Sequence, residues 1–146
     1  MATSEFNLDL GWQNGFKGLG LIKGNGFDVP ISIPAALGGS GTGAGPKELL
    51  ASSAAACFIA TLTAILESRK VPVADLAVAT HAVESDDTIR LKHTAKVTVT
   101  DSATEEQIAG VEALVARADK ACAVGNILRK SGVEIESHLG SVSKAG

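Results

Sequence analysis

The sequence has 146 residues, of which 45% are hydrophobic, and it carries a formal net charge of −3. This length predicts a single domain over residues 1–146 that buries roughly two-thirds of its unfolded surface. The mild acidity and the five aromatic side chains provide no basic stacking surface, so no nucleic acid partner is expected. The N-terminus has no basic region followed by an apolar stretch, which favours a cytoplasmic protein without a signal peptide.

The first part of the chain is predicted to form a meander of three antiparallel strands. Residues 6–12 alternate apolar and polar side chains, which is the period of a half-buried strand. The pair Asn14 and Gly15 favours a hairpin turn directly after this strand. Residues 18–22 and 26–33 are the next two predicted strands.

The segment from Gly38 to Gly45, GGSGTGAG, is predicted to be a flexible loop. It matches the dinucleotide motif G-x-G-x-x-A, but that motif needs a βαβ unit, which the surrounding antiparallel pattern does not provide. The P-loop spacing also fails, because Pro46 stands between Gly45 and Lys47. A plain loop is therefore the preferred interpretation and nucleotide binding the alternative. No cofactor is expected.

A long helix is predicted from Pro46 to about Lys70. Proline suits the first helical position, Glu48 complements the positive end of the helix dipole, and Pro72 disfavours continuation. Residues 49–66 are 18 residues without a charge, which reaches the length of a membrane span. Their alanine, serine and threonine content favours a core helix instead, so no membrane is expected. Because such a helix must be covered on all sides, a second subunit is predicted to cover it.

After the long helix, residues 74–84 and 89–100 are predicted to form a β-hairpin. The second of these strands alternates strictly between an apolar and a polar face, which indicates one buried and one solvated side. His93 lies on the apolar face and is interpreted as a core residue rather than a ligand. His81 lies between alanines and could be either.

A second helix is predicted to begin at the capping box from Thr104 to Gln107 and to carry an apolar stripe that ends at Cys122. Gly125 or the pair Ser131 and Gly132 is expected to end this helical region. A last strand is predicted over residues 133–139.

The two cysteines, Cys57 and Cys122, are the candidate chemical groups. A thiol is nucleophilic only as a thiolate, and a free cysteine with a pKa near ~8.5 is mostly protonated at neutral pH. Cys57 lies roughly 16 Å from the start of its helix, so a cation or a hydrogen-bond donor from elsewhere must lower its pKa. From the residues alone, a redox pair and two inert buried thiols both remain open. With no C-x-x-C motif, no metal site is expected, and a centre built from both cysteines and a histidine is a minor alternative.

A resemblance to the OsmC/Ohr family of thiol-dependent hydroperoxide reductases is carried by two stretches, GFDVPISIPAALGGSGTGAGPKELLASSAAACFIATL and CAVGNIL. The order of strands, glycine-rich loop, P-x-E-L-L, cysteine-bearing helix and second cysteine covers most of the chain. The resemblance implies an α+β, OsmC-like fold in which antiparallel sheets wrap around central helices in an intertwined homodimer. The active site is then expected at the dimer interface.

By this likeness, Cys57 is the peroxidatic residue, and Cys122 resolves its sulfenic acid into a disulfide. The implied activity is the reduction of organic hydroperoxides to alcohols in oxidative-stress defence, with a dithiol as the reductant. Phe58 is expected to line the substrate pocket, because its apolar neighbourhood suits an alkyl chain better than hydrogen peroxide. The alternative is a catalytically silent or divergent OsmC-like protein that binds a small apolar ligand.

The sequence departs from the family pattern at the positions that activate the reactive thiol. The family's arginine falls at Phe16, beside Lys17, and its glutamate falls at Lys47, just before Glu48. Lys17, Lys47 and Glu48 are therefore the candidates for tuning the thiolate. Ala123 stands where the family has a proline after the second cysteine.

Overall fold

The computed structural model describes residues 3–146, and it confirms the α+β class. In chain order the elements are β1 (Asp9–Gln13), β2 (Leu19–Gly24), β3 (Phe27–Ile31), a 3-10 turn (Ala35–Leu37), α1 (Pro46–Ser68), β4 (Val73–Ser85), β5 (Thr88–Val99), α2 (Glu105–Ala109), α3 (Val111–Ala121), α4 (Ala123–Lys130) and β6 (Glu134–Lys144). Contacts within the chain separate two compact units, one ending at Leu50 and one running from Ala51 to Gly146. The single domain over residues 1–146 stays a prediction.

The first unit holds the predicted meander, a three-stranded sheet in the order β1-β2-β3 with both pairings antiparallel. Asn14 and Gly15 both have positive φ angles of 68° and 67°, as the predicted turn requires. The indole of Trp12 donates a 2.7 Å hydrogen bond to the Gly15 carbonyl and closes this turn. The first strand begins later than predicted, because residues 3–8 form no regular structure.

Hydrogen bonds attach the glycine-rich segment to the end of β3, which the prediction of a flexible loop did not anticipate. The Gly43 N–H donates to the Ser32 hydroxyl at 2.9 Å, and the Ala44 N–H donates to the Pro30 carbonyl at 2.9 Å. A side chain at Gly43 would come within 2.8 Å of the backbone of Ile31. Glycine is required here because two backbone segments approach closely.

The second unit contains a three-stranded sheet in the order β4-β5-β6. The hairpin between β4 and β5 is confirmed, with Asp86 and Asp87 in a two-residue turn at positive φ. The pairing of β5 with β6 is parallel, so the prediction of antiparallel sheets is wrong here. The chain passes through α2, α3 and α4 between these strands, and such a crossover returns β6 in the same direction as β5.

Helix α1 confirms the predicted start at Pro46 and ends at Ser68, two residues before the predicted end. It buries one face, at residues spaced three or four apart: Ala51, Ala54, Phe58, Leu62 and Leu66. The other face, which includes Ser52, Ala56, Ala60 and Thr63, is exposed in the single chain. Within residues 3–146, α1 alone is long and apolar enough to cross a membrane, and 28% of its most apolar window is buried. The absence of a membrane stays a prediction.

The region predicted as one second helix consists of three short helices. The capping box is confirmed: the Gln107 N–H donates to the Thr104 hydroxyl at 3.1 Å, and the Thr104 N–H donates to the Gln107 side chain at 2.9 Å. Gly110 ends α2, and Cys122 interrupts the helical path between α3 and α4 with φ −68° and ψ 107°. Cys122 therefore does not extend the apolar stripe of α3. The helical region ends at Ser131, one of the two predicted positions.

Candidate active site: two thiols at the start of α4

The structure brings Cys57 and Cys122 together. Cys57 lies in the middle of α1 and is half-buried, whereas Cys122 is 3% exposed, and both are free thiols. Cys57 packs against the core cluster that contains Cys122, and each thiol shifts the pKa of the other. This proximity would let the second sulfur react with an oxidised first one.

Cys122 is held at this place as the N-cap of α4. Its sulfur accepts a hydrogen bond from the Gly125 N–H at 3.4 Å, so the thiol replaces the usual serine or aspartate oxygen of a helix cap. The same thiol points to the Ala54 carbonyl on α1, at 3.9 Å. A side chain at Gly125 would approach the Cys122 sulfur to 3.3 Å, so glycine leaves room for the sulfur.

The pKa of Cys57 is lowered from the ordinary value of a cysteine. Burial raises the pKa, but the Val124 N–H, the Cys122 thiol, the Thr61 hydroxyl and the Ala123 N–H together lower it by more. Ala123 and Val124 are the first two residues of α4, so their N–H groups have no partners within the helix. The positive end of a helix dipole stabilises a thiolate in the same way. The start of α4 therefore supplies the activation that the start of α1 is too distant to give.

The pKa of Cys122 is raised to about 11, mainly by burial and by the neighbouring Cys57 thiol, although the Gly125 N–H opposes this. One sulfur of the pair is thus favoured as a thiolate and the other as a thiol. Such a pair can perform nucleophilic attack at Cys57 and resolution at Cys122.

The predicted tuning residues belong to the first unit and are exposed. Lys17 lies in the turn after β1, and Lys47 lies in the first turn of α1. The Glu48 carboxylate accepts a hydrogen bond from the Gly45 N–H at 3.0 Å, which caps the start of α1. The donors that lower the pKa of Cys57 belong to the second unit. The tuning roles of Lys17, Lys47 and Glu48 stay predictions.

Phe58 lies in the core, and its role in a substrate pocket stays a prediction. Its side chain is 1% exposed, and its ring stacks on that of His93 with centroids 5.1 Å apart and an interplanar angle of 10°. His93 is a core residue, as interpreted, and burial lowers its pKa. Its Nδ1 shares a 2.7 Å hydrogen bond with the Thr80 hydroxyl, whereas its Nε2 has no partner among the described residues.

The other two histidines are exposed. His81 lies on β4, and His138, on β6, is within 3.2 Å of the Glu136 carboxylate. Within residues 3–146 no three histidine, cysteine or acidic side chains form a group that could hold a metal ion.

Sequence reasoning missed three of the groups that lower the pKa of Cys57. Thr61 stands four residues after Cys57 on the same helix, and this spacing places two side chains on one face, so it could have been found. The Val124 and Ala123 donors are backbone groups, which no side-chain pattern reveals.

Two free cysteines associated with one core cluster, one with a lowered and one with a raised pKa, are the candidate reactive groups of this site. The family model described as OsmC-like protein matches residues 39–138, more than half of the chain. The protein therefore belongs to the OsmC-like family.

Known relatives support this assignment at the level of the fold. The uncharacterised protein YmaD of Bacillus subtilis (strain 168) is 26% identical over an alignment of 146 positions, which covers 93% of each chain. The crystal structure of an organic hydroperoxide resistance protein OsmC from Legionella pneumophila has a TM-score of 0.68 at 20% identity and covers 97% of this chain and 99% of its own. An OsmC-like protein of unknown function from Vibrio cholerae reaches a TM-score of 0.71 at 13% identity, with 94% and 99% coverage.

Proposed function

We propose that the protein is a thiol-dependent peroxidase that reduces organic hydroperoxides to alcohols. The observation that carries the proposal is the pairing of Cys57 and Cys122 with opposite pKa shifts, lowered for Cys57 and raised to about 11 for Cys122. Membership in the OsmC-like family and the Legionella structure, whose description names organic hydroperoxide resistance, support the substrate class.

The reaction consists of two steps that use the two thiols in turn. The Cys57 thiolate attacks the terminal oxygen of the hydroperoxide, the O–O bond breaks, and the alkoxide takes a proton from solvent and leaves as the alcohol. Cys57 is then a sulfenic acid. The Cys122 thiol loses its proton and attacks the Cys57 sulfur, hydroxide leaves as water, and a disulfide forms. A dithiol reductant restores both thiols by exchange, as expected for a cytoplasmic enzyme of oxidative-stress defence.

A catalytically silent or divergent OsmC-like protein that binds a small apolar ligand is the second candidate. Phe16 and Lys47 stand where the resemblance places the family's activating arginine and glutamate. The structural neighbour from Vibrio cholerae is itself described as of unknown function. The two candidates differ in one property, the oxidation of Cys57 by peroxide.

Intact mass spectrometry after addition of one equivalent of cumene hydroperoxide tests the proposal. We expect wild type to lose two hydrogen atoms within seconds, because a disulfide forms. Cys57→Ser should show no rapid change, and Cys122→Ser should accumulate a sulfenic acid that a dimedone probe traps. Hydrogen peroxide, used as the second oxidant, should react more slowly.

The matched pair of serine variants makes the outcome decisive, because each removes one sulfur atom and adds no bulk. A wild type that stays reduced in excess peroxide would refute the peroxidase and favour the silent ligand-binding protein. Rapid oxidation of Cys57→Ser would assign the attack to Cys122 instead.

We also propose that the chain forms a homodimer. The face of α1 that bears Ser52, Ala56, Ala60 and Thr63 is exposed in the single chain, although it is almost uncharged. Several large apolar side chains of the first unit are exposed as well, among them Phe6, Leu8, Leu10, Trp12, Phe16 and Phe27. Exposed apolar surface of this extent favours association.

Light scattering tests the homodimer directly. We expect a single species of about twice the chain mass of 14.8 kDa at micromolar concentration, since the uncharged face of α1 is then covered. Ala56→Glu places a charge on that face and should shift the species towards the monomer, whereas Glu67→Gln, at the end of the same helix, should not. A wild type that is monomeric under these conditions would contradict the homodimer.

A further inference from the structure

The Arg129 side chain links three elements around the start of α4. It lies in the last turn of α4, and its guanidinium donates to the Asp119 carboxylate at 2.8 Å and to the Asp119 carbonyl at 3.2 Å, both on α3. The same group donates to the Ile135 carbonyl of β6 at 2.9 Å. It also donates to the Asn126 side chain within α4 at 3.2 Å. Arg129 thus fixes α4 against both α3 and β6.

Asp119, the partner of Arg129, accepts a further hydrogen bond. The Ser137 hydroxyl, on β6, donates to the same Asp119 carboxylate oxygen that Arg129 contacts. The Arg129 and Asp119 side chains are 29% and 25% exposed, so water competes little for this ion pair. In contrast, the ion pair of Arg90 and Glu134 between β5 and β6 is 68% and 67% exposed. A planar guanidinium donates along several fixed directions, so it constrains the positions of its partners as well as balancing a negative charge.

Helix α4 depends on contacts with other elements for its position. It has eight residues, and an isolated helix of that length is unstable in water. Gly125 is its only fully buried residue, and the half-buried Val124 and Leu128 pack against the core cluster of Ala51, Ala54 and Leu91. Its start lies beside α1, where the thiol of the N-cap residue Cys122 points to the Ala54 carbonyl at 3.9 Å.

We propose that Asp119 and Arg129 are a positioning pair that holds the first turn of α4 over the Cys57 thiol, so that the N–H groups of Ala123 and Val124 point at the sulfur. This inference rests on the proposed function, because the thiol that it concerns is the one that would attack the peroxide. It assigns no contact with substrate to either residue.

The pair acts through geometry and not through its own charge. The largest influences on the pKa of Cys57 are burial, the Val124 and Ala123 N–H groups, Cys122 and Thr61, and Arg129 is not among these. A positioning pair therefore requires the whole guanidinium fork, and a lysine ammonium at the same place cannot replace it.

The test is the pH profile of iodoacetamide alkylation of Cys57 in the full-length chain, measured by peptide mass spectrometry. In Arg129→Met we expect the midpoint of the profile to move to higher pH and the rate at pH 7 to fall roughly tenfold, because the N–H donors are displaced. Arg129→Lys should behave like Arg129→Met. Arg90→Met, which removes the exposed ion pair, should match wild type.

Two outcomes would overturn the proposal: a wild-type profile in Arg129→Met, or a wild-type profile in Arg129→Lys, which would assign the effect to charge alone. Circular dichroism verifies that each variant is folded, and Asp119→Asn provides a milder variant in which the midpoint should shift in the same direction. Alkylation needs no peroxide, so a protein inert to hydroperoxides can still show the shift. In that case the proposed function fails and the positioning pair stands.

Discussion

At pH 7, iodoacetamide should modify Cys57 at least roughly a hundred times faster than Cys122. With a pKa of about 11, about one Cys122 side chain in ten thousand is a thiolate at this pH. An ordinary cysteine is a thiolate to a few per cent at this pH. The pKa of Cys57 is lowered, which increases its thiolate fraction. Peptide mass mapping after exposure to a limiting amount of reagent measures both rates in the same sample.

The alkylation rates of Cys57 and Cys122 should also depend differently on pH. The Cys57 rate should rise with pH and become constant once the pH exceeds its lowered pKa, whereas the Cys122 rate should continue to rise up to about pH 11. In guanidinium chloride the two rates should become equal, because unfolding removes both environments. Equal rates in the folded protein would show that the sulfurs are not differentiated.

Replacing Phe58 with alanine should lower the free energy of unfolding by about 3–5 kcal/mol, as removal of a fully buried phenylalanine does. The ring packs in the core cluster and stacks on His93, so its loss leaves a cavity and removes an aromatic contact. Urea unfolding at fixed protein concentration, followed by circular dichroism, measures the change.

Ile127→Ala is the control for this substitution, because that side chain is 63% exposed and its truncation should change stability by less than about 0.5 kcal/mol. Phe58→Leu retains much of the volume and should cost less than about 1.5 kcal/mol, which keeps the measurement possible if the alanine variant unfolds. A loss below about 1 kcal/mol in Phe58→Ala would contradict a core position for the ring.

Much of the fold could be predicted because side-chain periodicity reports which face of an element is buried. The alternation over β5 and the punctuation of α1 by Pro46 and Pro72 located these elements to within a few residues. The direction of β6 could not be predicted, since an alternating strand has the same pattern in a parallel and an antiparallel pairing. The break at Cys122 was missed because neither glycine nor proline marks it.

Of the candidate site, only the cysteine side chains could be predicted from the sequence. Cys57 and Cys122 were identified as a pair, and the structure brings them together. The donors from Ala123 and Val124 depend on where α4 begins, and that depends on the backbone angles of Cys122. The bonds of Arg129 join residues distant in sequence, so they emerge only once the chain has folded.

The parallel pairing of β5 and β6 also determines the order in which this sheet can assemble. β4 meets β5 through a loop of only two residues, Asp86 and Asp87, whereas residues 100–133 separate β5 from β6. Closing this longer segment costs about 2.5 kcal/mol more chain entropy than closing the short turn, on the logarithmic dependence on loop length. We therefore expect the hairpin to form before β6 joins it. Because Cys122 lies within that segment, we expect its encounter with Cys57 to follow formation of the hairpin.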